Sequence, residues 1–125
     1  MKVLAFSILM VLCLSIGSAN PTQIQKSQDP CANAKTTPEM RDCTGKEYKQ
    51  ADAELNEVYK QLMSKLEDEG HQASLKSTQQ AWIRYRDTNC EYESYLSRGG
   101  TIYSVVHTGC LMRMTKERTT ELRGQ

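Results

Sequence analysis

Four cysteines, two histidines and one compact polar cluster are the residues of this sequence best suited to chemistry. Cys31, Cys43, Cys90 and Cys110 can either ligate a metal with His71 and His107 or pair as disulfides. Metal sites favour close ligand spacing such as C-x-x-C, whereas these cysteines are far apart and each histidine stands alone. Met112-x-Met114, with His107 upstream, hints at a soft cuprous site. Residues two apart on a helix point in different directions, however, so ordinary packing is the better reading. Hydrolytic chemistry lacks its usual carriers, because no G-x-S-x-G, H-E-x-x-H or glycine-rich phosphate cradle occurs. A catalytic pair of carboxylates meets in space and leaves no mark in sequence. The reading is therefore of a non-enzyme, with no catalytic residue, metal or cofactor assigned.

The polar cluster is Gln79-x-x-Trp82-x-x-x-Arg86-Asp87-x-x-Cys90. On a helix Arg86 sits one turn from both Trp82 and Cys90, beside the apolar stripe. Two roles suit it. It can form a structural ion pair with Asp52 of a neighbouring helix, its guanidinium covering an aromatic centre. Alternatively, it can recognise an anionic ligand. Asp52 already offers a partner, which favours the structural role.

The cysteines also report a compartment. Met1-Lys2 is a short positive start, Val3 to Ile16 is almost wholly apolar, and Gly17-Ser18-Ala19 supplies small residues for cleavage. This is the pattern of a secretory signal over 1–19, too short for a membrane span. Cys13 leaves with it, and Val11-Leu12 before it is unlike a lipid-anchor site. The expected product is periplasmic or secreted, with four cysteines in an oxidising compartment. Three pairings are formally available. Cys31–Cys43 with Cys90–Cys110 is preferred, and Cys43–Cys90 is the rival.

Of 125 residues, removal of the first 19 leaves 106, enough for one domain. Loss of Lys2 takes the 16 basic residues to 15, against 15 acidic ones. Neither a nucleic-acid partner nor attraction to an anionic membrane is expected of such a balance, and no stable membrane insertion follows. Residues 20–30 are polar and read as a flexible leader; 31–125 form the domain.

The elements that must position these residues are helices. Thr44-Gly45-Lys46-Glu47 has the spacing of a capping box, and Pro38 argues against a long helix before Cys43. Tyr48, Ala51, Leu55, Tyr59, Leu62 and Leu66 then form one stripe, closed by Gly70. A second stripe takes Leu75, Thr78, Trp82, Tyr85, Asn89, Tyr92 and Leu96, and ends at Arg98-Gly99-Gly100. A third run from about 102 to 123 places Val106, Cys110 and Met114 together, with Leu111 and Leu122 on its flank. No segment alternates as a half-buried strand does. The expected fold is all-α, an antiparallel helical hairpin plus a third helix, stapled by disulfides. In the hairpin, Leu66/Leu75, Tyr59/Trp82 and Asp52/Asn89 share one register. Leu55/Tyr85 and Tyr48/Tyr92 depart from it by one residue.

One further pattern spans nearly all of the domain. It runs through Cys31, Thr37, Met40 and Cys43, then Asp52, Leu55-Asn56 and Tyr59. It continues through Gln79, Trp82, Arg86-Asp87 and Cys90, then Gly100-Thr101, Cys110, Thr115, Arg118 and Leu122. This pattern resembles the LprI-type lysozyme-inhibitor family. The resemblance implies a small exported helical protein that binds and inhibits lysozyme or a related cell-wall lytic enzyme. An envelope module that binds another protein or a glycan is the alternative. Lysozyme inhibitors generally plug a cleft with a protruding loop, so Arg98, Gly99, Gly100 and Thr101 form the expected contact loop. The Glu67 to His71 turn is the second choice. Asp52, Gln79, Arg86 and Asp87 are the expected structural polar cluster.

Overall fold

The computed structural model describes residues 29–125; the expected export signal over 1–19 and nearly all of the expected leader lie outside them. Helix α1 spans Thr37–Lys65, α2 Glu69–Glu93 and α3 Tyr103–Arg123, with a short 3-10 turn at Tyr95–Ser97. No strand occurs among the described residues, and none of these helices is long and apolar enough to cross a membrane.

α1 begins earlier than its sequence suggests. Its capping box is Thr36 with Glu39, the same spacing as Thr44 with Glu47 but two turns upstream. The Glu39 carboxylate accepts from the backbone N–H of Lys35 at 2.8 Å and of Thr36 at 3.0 Å. Those bonds hold its pKa below the usual carboxylate value. Pro38 lies in the first turn, where a missing N–H costs nothing, so it starts the helix instead of breaking it. Thr44 is mid-helix and donates its hydroxyl to the Met40 carbonyl at 2.9 Å.

The turn between α1 and α2 also lies earlier, at Leu66 to Asp68 and not at Gly70. Asp68 caps α2 by accepting from the His71 N–H at 2.7 Å, and Gln72 Nε2 donates to the Leu66 carbonyl at 2.6 Å. Gly70 therefore opens a helix. Moving the turn changes which residues of the hairpin meet. Asp52 lies near Arg86, not Asn89, while Tyr85 and Tyr92 face solvent. The inward stripe of α2 is Leu75, Gln79, Trp82, Arg86 and Cys90. α2 stops at Glu93; Ser94 is its C-cap, and the Ser94 hydroxyl donates to the Cys90 carbonyl at 2.7 Å. The 3-10 turn then carries Leu96 outward.

α3 runs parallel to α1 and antiparallel to α2. Lys116–Glu47 at 3.0 Å and Arg123–Glu54 mark one register along the α1/α3 seam. Those two backbones lie side by side, whereas α1 and α2 meet chiefly through long side chains. Leu55, Val58, Leu75 and Leu122 form one apolar centre, and Cys90, Cys110 and Met114 a second. Trp82 packs against both. Tyr59 joins it on the first centre, so the aromatic pair expected in the core is present at its edge. The disulfides are Cys31–Cys43 and Cys90–Cys110, with Cα–Cα distances of 5.8 and 5.5 Å. The first ties the segment before α1 to its second turn; the second joins α2 to α3.

Candidate functional site

Two regions gather the polar residues singled out from sequence. The first is interior. Arg86 is buried at 7% exposure, yet each of its nitrogens is used. Its Nε donates to Asp87 Oδ1 at 2.9 Å and its NH2 lies 2.8 Å from the same carboxylate. NH1 donates to Thr115 Oγ1 of α3 at 3.3 Å and stands 3.8 Å from Asp52 of α1. Asp87 is thus the close partner and Asp52 a looser one. The guanidinium also faces the Trp82 ring at 5.2 Å and Tyr48 at 5.8 Å. Burial raises the Tyr48 pKa, with the positive Arg86 opposing and Asp52 and Asp87 adding to the rise. Of the expected cluster, Asp52, Arg86 and Asp87 meet. Gln79 instead accepts from Arg118 Nε at 3.0 Å.

Arg118 is the member that the apolar stripes missed. It is buried, faces Trp82 at 5.8 Å and pairs with Glu121 at 2.9 Å. Spacing held a signal, since Cys110, Met114, Arg118 and Leu122 step evenly by four. A hydrophobic count passes over it because the charge ends the match. Arg86, with every nitrogen used, and Arg118, with Nε and NH1 used, act here as packing groups with polar edges.

The second region is the apex, where α2 passes into α3. Glu91 is its hub: Arg98 NH2 donates to it at 2.9 Å, the Tyr103 hydroxyl at 3.3 Å, and His107 Nε2 lies 3.4 Å away. The Arg98 bond, then Tyr103 and His107, hold the Glu91 carboxyl below its usual pKa. The same pairing raises that of Arg98. Arg98 also covers the Tyr95 ring at 4.8 Å. Gly99 has φ +78°, the left-handed region that glycine enters freely.

Arg98 to Thr101 are all exposed, but Arg98 is committed to Glu91 and Tyr95. The surface left uncommitted is apolar. Leu96 is 97% exposed and Tyr92 80%, with Tyr95 beside them at 59%. Helical spacing assigns Tyr92 and Leu96 to the core stripe, and the structure instead leaves both in solvent. At the opposite end the Glu67 to His71 turn is exposed but presents polar and small residues.

Among the described residues no group of three or more His, Cys, Asp or Glu side chains is arranged to hold a metal ion. The four cysteines among the described residues are consumed by their disulfides.

Comparison with known proteins bears on the family of the chain. A curated protein of Rhizobium meliloti (strain 1021), itself described as uncharacterized, is 30% identical over 135 residues, covering 98% of this chain and 94% of that protein. No solved structure matches. The family model described as lysozyme inhibitor LprI matches residues 28–122, from just before the first disulfide to the last core leucine of α3. The chain therefore belongs to the LprI lysozyme inhibitor family.

Proposed function

We propose that this chain is an exported, non-enzymatic protein that binds lysozyme, or a related cell-wall lytic enzyme, and obstructs its cleft with the α2–α3 apex. Family membership supports the partner class. The observation that carries the mode is the exposure of Tyr92, Tyr95 and Leu96 on a turn clamped by Cys90–Cys110 directly beneath. Exposed aromatic and aliphatic side chains on a rigid base suit an inhibitor, since little order remains to be imposed on binding. The committed state of Arg98 fits as well. A basic lysozyme meets a neutralised apex and not a bare positive charge. The signal-like pattern over 1–19 supports an exported compartment in which the two would meet.

The test is a lytic assay with oxidised protein and lysozymes of several classes, alongside direct binding. Wild-type protein should slow lysis by at least one class. Tyr92→Ala and Leu96→Ala should each weaken binding about tenfold or more, as central contact residues do. Unchanged lysis at large molar excess, together with no detectable binding, would remove this reading in favour of an envelope module with another ligand.

A further inference from the structure

Because α1 and α2 meet through side chains, a groove of about 240 Å³ lies between them, away from the apex. Gln79 and Arg86 contribute to it from the interior, and Asn56, Tyr59, Lys76 and Ile83 are among its walls. We propose that this groove is a saccharide-binding site that accepts a single N-acetylated amino-sugar unit. The proposal goes beyond lysozyme binding and does not depend on it.

The hydrogen-bonding state of the lining carries the inference. Arg118 Nε can only donate, so the Gln79 oxygen must face it, and the amide nitrogen must point elsewhere. Gln79 is 8% exposed, yet that Nε2 has no protein partner among the described residues. That nitrogen is not closed off from solvent, so on the groove wall it is open to an acceptor from a guest or from water. Asn56 is oriented in the complementary sense. Its Nδ2 donates to Asp52 Oδ2 at 3.2 Å, which leaves the Oδ1 acceptor free. The Tyr59 hydroxyl and the Lys76 ammonium also have no partner among the described residues.

This set narrows the guest. A purely apolar ligand would strand the Gln79 donor at a desolvation cost. A simple anion finds only one free positive charge, Lys76, because Arg86 is already satisfied, and the Asp52 carboxylate repels it. The wall formed by Tyr59 and Ile83 favours one apolar face on the guest. A sugar ring combines that face with hydroxyl donors and acceptors, and an acetamido group matches the free amide edges of Gln79 and Asn56. The volume is below the ~300–1,000 Å³ of sites for drug-sized ligands, so one ring unit is the fitting scale.

The experiment is a titration of oxidised, isotopically labelled protein with N-acetylglucosamine and its trimer, followed by amide chemical shifts and without any lysozyme. Millimolar binding should move the side-chain amides of Asn56 and Gln79. Asn56→Ala and Lys76→Ala, both at exposed helix positions, should weaken it roughly tenfold while leaving the melting temperature close to wild type. Leu96→Asp at the apex should leave sugar binding intact, which separates this site from the inhibitory surface. The proposal is overturned by absence of shifts at saturating sugar, by shifts elsewhere, or by binding that both groove variants retain. Binding of free alanine in the groove in place of the sugar would also overturn it, since a zwitterion can use Lys76 and Asp52 together.

Discussion

The Arg86 guanidinium lies 5.2 Å over the centre of the Trp82 ring, which places a buried charge against the only tryptophan of the chain. That contact joins the two apolar centres to one polar hub. Through it α2 holds Thr115 of α3 and leans toward Asp52 of α1. Arg86→Ala should therefore remove packing and hydrogen bonds together, at a cost of about 2–4 kcal/mol. Asp52→Ala should cost less than about 1 kcal/mol, because its carboxylate is half exposed and 3.8 Å away. Denaturant unfolding of both variants measures the asymmetry. Equal losses would mean that Asp52 is the main partner after all.

Cys90–Cys110 encloses the whole apical turn. A closed loop of this length contributes roughly 3 kcal/mol in the chain-entropy estimate. Joint replacement of both cysteines by serine should lower stability by about that amount and loosen the turn that carries Tyr92 and Leu96. Peptide mapping without reductant should recover Cys31–Cys43 and Cys90–Cys110 linked fragments. A Cys43–Cys90 fragment would contradict the arrangement of the helices.

The Glu91 hub makes the apex acid-sensitive. Its pKa is lower in the folded protein than the ordinary 4.5, chiefly through the Arg98 bond. The stabilising contribution is therefore complete above the unfolded value and is lost as pH falls through the lowered folded one. Amide shifts from residues 94 to 103 should show a transition on the acid side of the ordinary carboxylate value. Glu91→Gln should abolish that transition. A transition of the same size in the variant would place its origin elsewhere.

Gly99 and Leu96 should separate stability from surface. Gly99→Ala forces a side chain into left-handed backbone and should cost about 1 kcal/mol, although nothing lies within 4 Å of the added carbon. Leu96→Asp should leave the melting temperature almost unchanged, because 97% of the residue is already in solvent. A large loss of stability in the second variant would show that Leu96 packs against the domain.

Local rules in the sequence determined much of this molecule. Apolar residues at helical spacing define α1 through Ala51, Leu55 and Leu62. The position of Cys90 and Cys110 on either side of Gly99-Gly100 favours their pairing across a turn, and the family pattern is legible residue by residue. What depends on competing local signals was not legible. Thr36-x-x-Glu39 and Thr44-x-x-Glu47 are equivalent capping boxes as strings, and only the folded chain shows which one begins a helix. Asp68 likewise out-competes Gly70 because an N-cap bond ends one helix and starts the next. Tertiary structure also decided which face of α2 is inside. Arg86 and Gln79 can be buried only because Asp87 and Thr115 meet the guanidinium and Arg118 meets the Gln79 oxygen, and two of those three partners come from another helix. Tyr85, Tyr92 and Leu96 are left outside for the same reason. Hydrophobicity is a property of one residue, whereas the satisfaction of a buried polar group depends on what the rest of the chain brings to it.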